Sequence, residues 1–223
     1  RKYGKFAPQF QFLSAWKILK QSAPIGLGVI FSVLYFRLDT IMLQLMADAR
    51  TVGFYNGAYK LFELVVVLPH SLMIVLFPHL VEEFHKEKEK FKKSLKKVLV
   101  IYVGIGSSIS LVFFYYSFEI INLIYGKEFL FSGEVLKVLA TAMVLSFCVF
   151  LLSNVLIVSG QEQKNARMLV GATLSNLVLN LIWIPRYGAI GAAWSTVVCE
   201  MVLVIVLCFQ SGKILKSTWF EIN

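Results

Sequence analysis

Six long apolar stretches divide this chain, and they constrain its fold more than any other feature. They cover residues 19–46, 52–81, 98–118, 135–158, 168–184 and 189–209. A helix needs about 20 such residues to cross the hydrocarbon core of a bilayer. Membrane strands alternate apolar and polar residues, whereas runs such as Leu64–Leu68 do not alternate. We therefore predict an all-α, polytopic membrane bundle of about six transmembrane helices.

The composition agrees with a membrane protein. The chain is 58% hydrophobic and only 16% charged, whereas an average soluble domain is roughly 45–50% apolar and about 25% charged. Its net charge of +9 comes from Lys and Arg residues that lie between the apolar stretches, which argues against a nucleic-acid groove. Cys148, Cys199 and Cys208 lie inside apolar stretches without metal-ligand spacing, so we interpret them as small buried hydrophobes and predict no metal site.

The distribution of Lys and Arg predicts the orientation, because cytoplasmic loops carry an excess of these residues. With a cytoplasmic N-terminus, the inner side holds sixteen: Arg1, Lys2, Lys5, Lys17, Lys20, Lys86, Lys88, Lys90, Lys92, Lys93, Lys96, Lys97, Lys164, Arg167, Lys213 and Lys216. The outer side holds four: Arg50, Lys127, Lys137 and Arg186. We predict a cytoplasmic segment over 1–18, the bundle over 19–210 and a cytoplasmic tail over 211–223, in the cell (inner) membrane.

Four charged residues lie well inside the first two stretches, which are joined by a short connection near residue 50: Arg37, Asp39, Lys60 and Glu63. The two helices must be antiparallel, so residues whose numbers add up to about 100 lie at equal depth. This relation places Arg37 level with Glu63 and Asp39 level with Lys60. Arg37 and Asp39 are about 200° apart around their helix. One of them is therefore expected to pair with the second helix, and the other to point to a neighbour or to the lumen.

The second helix carries a polar stripe. Asn56, Lys60, Glu63 and His70 recur on one helical face. Two interpretations remain open: packing between helices, or the wall of a polar cavity. His70 follows Pro69 and can bond a carbonyl that the proline leaves free.

Three more polar residues lie in the last two stretches. Glu200 is near the middle of the sixth and has no cationic neighbour in the sequence. A carboxylate there can carry H⁺ or bind Na⁺, or it can be a neutral packing group. Asn176 and Asn180 are one turn apart on the fifth stretch, and interhelical hydrogen bonding is the favoured interpretation.

No catalytic signature is present in the sequence, which has no HExxH, GxSxG, Walker or CxxC motif. We predict neither an enzyme nor a bound cofactor. The chain begins at Arg1 rather than Met, so we expect it to be part of a longer protein.

Five segments carry a resemblance to a known family. They are LKQSAPIGLGVIFSVLYFRLDTIML at 19–43, VGFYNGAYKLFEL at 52–64, LFPHL at 76–80, IYGKEF at 124–129 and NLVLNLIWIPRYGAIGAAWSTVVCE at 176–200. In this order they resemble the polysaccharide-biosynthesis transporters, in particular O-antigen repeat-unit flippases, of the multidrug/oligosaccharidyl-lipid/polysaccharide (MOP) exporter superfamily.

The resemblance implies one lobe of a two-lobed, MATE-like transporter, and we expect the C-terminal lobe, with the N-terminal lobe as its missing partner. The implied function is alternating-access export of undecaprenyl-pyrophosphate-linked oligosaccharide or polysaccharide repeat units. Within that function, Arg37 and Lys60 are candidates for the anionic groups of the substrate, Asp39 and Glu63 for holding them, and Asn56 and Tyr59 for bonding sugar. Glu200 is the candidate for ion coupling. The alternatives are a cation-coupled multidrug exporter and a membrane-embedded glycan enzyme.

Overall fold

A computed structural model describes residues 33–34 and 36–217, with side chains up to Leu215. Within this range every regular element is helical. The first helix, α1, covers residues 36–46 of the described part. The elements that follow are α2 (Ala49–Lys86), α3 (Lys88–Tyr115), α4 (Ser117–Tyr125), a 3₁₀ turn (Lys127–Phe129), α5 (Phe131–Val158) and α6 (Glu162–Ser217). The segment 1–18, most of the first apolar stretch and residues 218–223 lie outside the described residues.

Four helices, α2, α3, α5 and α6, are long and apolar enough to cross a membrane. The longest, α6, consists of two helical arms, because Gly188 interrupts it with φ 55° and ψ −131°. Each arm has more than the roughly 20 residues that one crossing requires. The prediction of an all-helical membrane bundle is confirmed.

The two arms of α6 are antiparallel and pack against each other. A cleft of about 280 Å³ lies between these two arms. Another cleft, of about 340 Å³, lies between α2 and α5. Met168, Ser175, Val206 and Cys199 are among the residues that line the cleft between the arms. The residues in pairs such as Met168 with Val206 and Ser175 with Cys199 lie at nearly equal distances from Gly188, which places the reversal of the chain at or next to that glycine.

The central helix is α5, which packs against α2, α3, α4 and α6. Two glycines permit its closest contacts. A Cβ on Gly133 would lie 2.7 Å from Cδ1 of Phe118 in α4, and one on Gly106 of α3 would lie 3.1 Å from Cγ of Phe147. The ring of a phenylalanine therefore packs directly against each glycine, at the distances of a packed protein interior.

Two helix boundaries differ from the sequence prediction. The third stretch, predicted over 98–118, belongs to α3, which begins ten residues earlier at Lys88 and ends at Tyr115. Residues 119–134, which lie between the third and fourth apolar stretches, are largely α4, the 3₁₀ turn and the start of α5. Apolar content alone cannot separate a crossing helix from a short helix that follows it. The charged segment Glu82–Lys97 is helical on both sides of Glu87.

The connections lie at two opposite ends of the bundle. At one end, Gly188 approaches Thr51, and the ring of Phe54 lies 5.8 Å from that of Phe129 and 5.4 Å from that of Phe131. The helix ends at Lys86–Lys88 and 159–161 lie at the other end, because α2, α3 and α5 each cross once. This arrangement separates the Lys and Arg residues of the described part as the sequence predicts, while the assignment of one end to the cytoplasm remains a prediction.

Candidate functional site

An ion pair connects α1 and α2. Nη2 of Arg37 lies 3.2 Å from Oε1 of Glu63, and the two side chains are 56% and 32% exposed. Only Ala47 and Asp48 separate the two helices, so these helices run antiparallel from a common end and Arg37 and Glu63 lie at matching depth. The sequence relation predicted this pairing.

Two further polar residues of the predicted stripe lie beside this pair. Lys60 is exposed and forms no salt bridge with any residue of the described part. Asn56 is half-buried and accepts a hydrogen bond of 3.0 Å from Oγ1 of Thr40. We call Arg37, Asn56, Lys60 and Glu63 the charged face.

Asp39 points the other way, into the bundle. It is 3% exposed. Its Oδ2 accepts hydrogen bonds from Oη of Tyr55 at 2.7 Å and Oγ1 of Thr196 at 2.6 Å, and its Oδ1 accepts one from Nδ2 of Asn180 at 2.5 Å. Asp39 thus joins α1 to α2 and to both arms of α6. It does not pair with Lys60, because the rotation between positions 37 and 39 leaves only one of them facing that side of α2.

The depth relation also explains the contribution of α6. Asn180 and Thr196 are each eight residues from Gly188, about 12 Å along their arms, and Asp39 lies at a similar distance from the end of α1. Asn180 also donates a 3.0 Å hydrogen bond to Oδ1 of Asn176. We call these residues, with Tyr55, the Asp39 cluster: Asp39, Tyr55, Asn176, Asn180 and Thr196.

Glu200 lies one turn beyond Thr196 and is 3% exposed. It and Asn176 are each twelve residues from Gly188, so they lie at the same depth, about one turn further from that end than Asn180. A second buried carboxylate therefore lies at the next level of the bundle below Asp39. The side-chain oxygens at these two levels are of the types that bind H⁺ or an alkali cation. No group of three or more His, Cys, Asp or Glu side chains that could hold a metal ion occurs within the described ranges.

Tyr59 and His70 have different surroundings from those predicted. Tyr59 is 3% exposed, and its hydroxyl donates to the carbonyl of Phe36 at 2.7 Å, so it is turned into the bundle rather than toward the charged face. His70 is exposed and its ring meets that of Phe150 edge to face, with 5.3 Å between centroids.

The proline next to His70 receives a hydrogen bond from another helix. The carbonyl of Pro69 accepts a 2.9 Å hydrogen bond from Oη of Tyr102 in α3. His70 instead lies at the edge of a cleft of about 340 Å³ between α2 and α5, which Phe77, Asn154 and Ile157 also line. The cleft continues the stripe of the charged face toward the other end of α2.

Two solved structures share this arrangement of helices. One is a MOP superfamily transporter from Pyrococcus furiosus, and the other is a multidrug resistance MATE family transporter of the MOP superfamily in an outward-facing conformation. For both, the TM-score is 0.76 at 18% sequence identity over 86% of this chain, which corresponds to 43% and 44% of the respective transporters. The chain has the fold of one lobe of a MOP superfamily transporter. The resemblance inferred from the sequence is confirmed.

Sequence comparisons find membrane and polysaccharide-biosynthesis proteins. Residues 1–84 match a family described as polysaccharide biosynthesis protein. An uncharacterized membrane protein of Methanocaldococcus jannaschii is 25% identical over 98% of this chain and 44% of its own length. A probable low-salt glycan biosynthesis flippase of Haloferax volcanii, Agl15, is 26% identical over 82% of this chain and 38% of its own length.

A third relative is the capsular polysaccharide biosynthesis protein CapF of Staphylococcus aureus, which is 20% identical over 82% of this chain and 46% of its own length. The chain therefore spans less than half the length of the curated relatives it matches. With the helices described above, these likenesses support a multi-pass membrane protein.

Two members of the Asp39 cluster were missed by the sequence analysis. Tyr55 precedes Tyr59 by one turn and was hidden among the aromatic residues of α2, and Thr196 is a common residue in membrane helices. In the hairpin of α1 and α2, residues equally far from the connection lie at equal depth. The same rule applied to the two arms of α6 would have found Thr196, because Thr196 and Asn180 are equally far from Gly188.

Proposed function

We propose that the complete protein exports a lipid-linked oligosaccharide or polysaccharide repeat unit by alternating access, and that this chain is its C-terminal lobe. The MOP fold supports transport rather than an enzymatic reaction. The names of the Haloferax volcanii and Staphylococcus aureus relatives, a probable glycan flippase and a capsular polysaccharide biosynthesis protein, support a glycan as the cargo.

The exposed ion pair between Arg37 and Glu63 carries this proposal. Placing a charged side chain at the centre of a bilayer costs about 2.5–3.5 kcal/mol on insertion scales. Arg37, Glu63 and Lys60 are nevertheless accessible on the surface of the lobe. Exposure of three charges at one level is costly toward lipid and is favourable toward a water-filled cavity between two lobes.

The roles on this face follow from charge. Arg37 and Lys60 are the cations that would bind the pyrophosphate or acidic sugars of the substrate, since a guanidinium forms bidentate bonds to such groups. Glu63 would orient Arg37 through their ion pair. Asn56 would offer its amide to sugar hydroxyls, while the buried Tyr59 would support α1 from below.

Cation coupling would use the Asp39 cluster together with Glu200. Asp39 connects three membrane helices through hydrogen bonds to its carboxylate, so loading it with H⁺ or Na⁺ would change contacts on α2 and on both arms of α6. Glu200 provides a second buried carboxylate one turn away. This arrangement extends the role that the sequence assigned to Glu200 alone.

The test is export by the complete protein in a flippase-deficient strain, measured as glycan at the cell surface. The variant Arg37→Gln/Glu63→Gln should lower export at least about tenfold, which corresponds to 1.4 kcal/mol of lost substrate interaction, while membrane insertion is retained. The matched control is Glu82→Gln/Lys86→Gln, which removes an exposed ion pair of 2.8 Å at the far end of α2 and should leave export unchanged.

A second measurement decides between cargo classes, because one of the two similar structures is a multidrug transporter. Cells expressing the complete protein are loaded with a cationic dye. Dye extrusion without rescue of glycan export would overturn the glycan proposal in favour of the multidrug alternative. Normal glycan export by the Arg37→Gln/Glu63→Gln variant would show that the charged face has only a packing role.

A further inference from the structure

The outward face of α3 differs from the surfaces already described. In the most apolar 18-residue segment of α3, only 17% is buried within the lobe, which is the lowest share among the four long helices. Val100 and Ile101 are 65% and 52% exposed, and Leu111 continues the same exposed surface. This face therefore offers apolar surface to the acyl chains of the bilayer.

Three lysines lie where that apolar face ends. Lys93, Lys96 and Lys97 are exposed and are spaced i, i+3 and i+4, so they share one side of the helix. Lys97 precedes Val100 by three residues, about 4.5 Å along the axis. Their ammonium groups thus lie at the level where lipid headgroups begin.

The counter-ions of this segment are used by other lysines. Lys86 pairs with Glu82 at 2.8 Å, Lys90 with Glu87 at 3.7 Å and Lys92 with Glu89 at 2.8 Å. By contrast, Lys93, Lys96 and Lys97 form no salt bridge with residues that the structure describes. Glu89 is one turn from Lys93, but its carboxylate is bound by Lys92. Three neighbouring positive charges are left to repel one another unless an anion lies between them.

We propose that Lys93, Lys96 and Lys97 bind the phosphate of an anionic membrane lipid whose acyl chains lie along Val100 and Ile101. Two features of the structure select a lipid rather than a soluble anion: the lysines adjoin an exposed apolar face directly, and they lie at the end of a membrane-crossing helix. Juxtamembrane lysines attract anionic lipids in this way. The site does not depend on the proposed transport function, because it lies on a different face from Arg37 and Lys60.

The chain itself provides a matched pair of variants. Lys93→Gln/Lys96→Gln/Lys97→Gln removes the three lysines of the site. Lys86→Gln/Lys90→Gln/Lys92→Gln removes three paired lysines from the same segment and changes the net charge equally. Both are made in the full chain, reconstituted in bilayers of phosphatidylcholine with a minor fraction of spin-labelled phosphatidylglycerol or spin-labelled phosphatidylcholine.

The measurement is the protein-bound fraction of each spin-labelled lipid. The unaltered chain should prefer phosphatidylglycerol, and the first variant should lose this preference by at least about fivefold, the factor that a single juxtamembrane lysine contributes. The second variant should retain it. Equal losses in both variants would show that only net charge matters, and no loss in either would show that the lysines bind no lipid. Both results overturn the proposal.

A third variant keeps the test valid if the first does not fold. Lys93→Arg/Lys96→Arg/Lys97→Arg retains the charges, and its preference for phosphatidylglycerol should persist and should weaken as salt is raised toward 1 M, where electrostatic screening acts within about 3 Å. A preference that is unaffected by salt would contradict binding through the lysine charges.

Discussion

Asp39 shows how a single carboxylate can be accommodated inside this bundle. A buried charge is costly unless its oxygens are hydrogen-bonded, and Asp39 accepts bonds from Tyr55, Asn180 and Thr196. These donors come from α2 and from both arms of α6. The carboxylate therefore depends on the correct placement of three helices, and each donor contributes to holding them together.

The variant Thr196→Val tests this dependence. It removes the hydroxyl that donates to Asp39 while keeping the volume of the side chain. A lost hydrogen bond to a buried charged group costs about 1.5–3 kcal/mol, so the unfolding temperature of the detergent-solubilised protein should fall. Thr173→Val is the control, since the hydroxyl of Thr173 bonds only the Leu169 carbonyl of its own helix among the described contacts. Equal effects of the two substitutions would refute a special role for Thr196.

For single residues, the sequence predicted the depth in the membrane better than the side of the helix to which a side chain points. The short connection between α1 and α2 fixes the level of each residue, and so Arg37 with Glu63 followed from numbering alone. It does not fix the rotation of α1, which decides whether Asp39 faces Lys60 or α6. That rotation depends on the packing of Tyr55 and Tyr59, whose rings are 5.4 Å apart, and packing of this kind has no signature in a single sequence.

Gly188 defines the largest element of the lobe. Its φ of 55° and ψ of −131° belong to a region that residues with a side chain rarely adopt. The backbone there reverses α6 within one residue, while an added Cβ would find ordinary contact with Thr51 at 3.4 Å. Conformation rather than space therefore requires glycine.

Gly188→Ala should consequently lower the free energy of unfolding by about 1–3 kcal/mol, the cost of a residue held in a sparsely populated backbone conformation. Gly171→Ala is the control on the same helix. Gly171 has no heavy atom within 4 Å of the position of an added Cβ, and alanine is the better helix former by about 1 kcal/mol. Thermal unfolding in detergent checks both, and a neutral Gly188→Ala would mean that α6 can reverse in another way.

Helix existence could be predicted from the sequence, whereas the junction after α3 could not. The apolar stretches correspond to α2, α3, α5 and the two arms of α6. The break at Tyr116 is different, because a single residue with φ −106° and ψ 22° separates α3 from α4 inside an apolar and aromatic run. The position of α4 depends on the contact of Phe118 with Gly133, which is distant in the sequence.

The whole lobe has a strong difference in charge between its two ends. The end at Lys86–Lys88 and 159–161 carries most of the lysines, and the end at Gly188 carries Arg50, Lys127 and Arg186. Because the excess of Lys and Arg remains on the cytoplasmic side during insertion, the first end is predicted to face the cytoplasm.

Cysteine labelling in intact cells tests this orientation. After Cys148, Cys199 and Cys208 are replaced by serine, a cysteine at Glu128 should react with a membrane-impermeant maleimide from outside. A cysteine at Glu162 should react only after the membrane is permeabilised. Both residues are acidic and precede a helix or lie at its start, so they form a matched pair. The reverse pattern of labelling would invert the predicted topology.

The one-residue reversal at Gly188 restricts how α6 can move. A joint of one residue keeps the two arms in a fixed register, so a relative motion of the arms about Gly188 would be a rotation rather than a sliding. Asn180 and Thr196, which lie near the joint, would shift little in such a rotation. The segments around Met168 and Val206 are far from Gly188 and would move the most. A small rotation at Gly188 would therefore give a large displacement at the opposite end of the two arms.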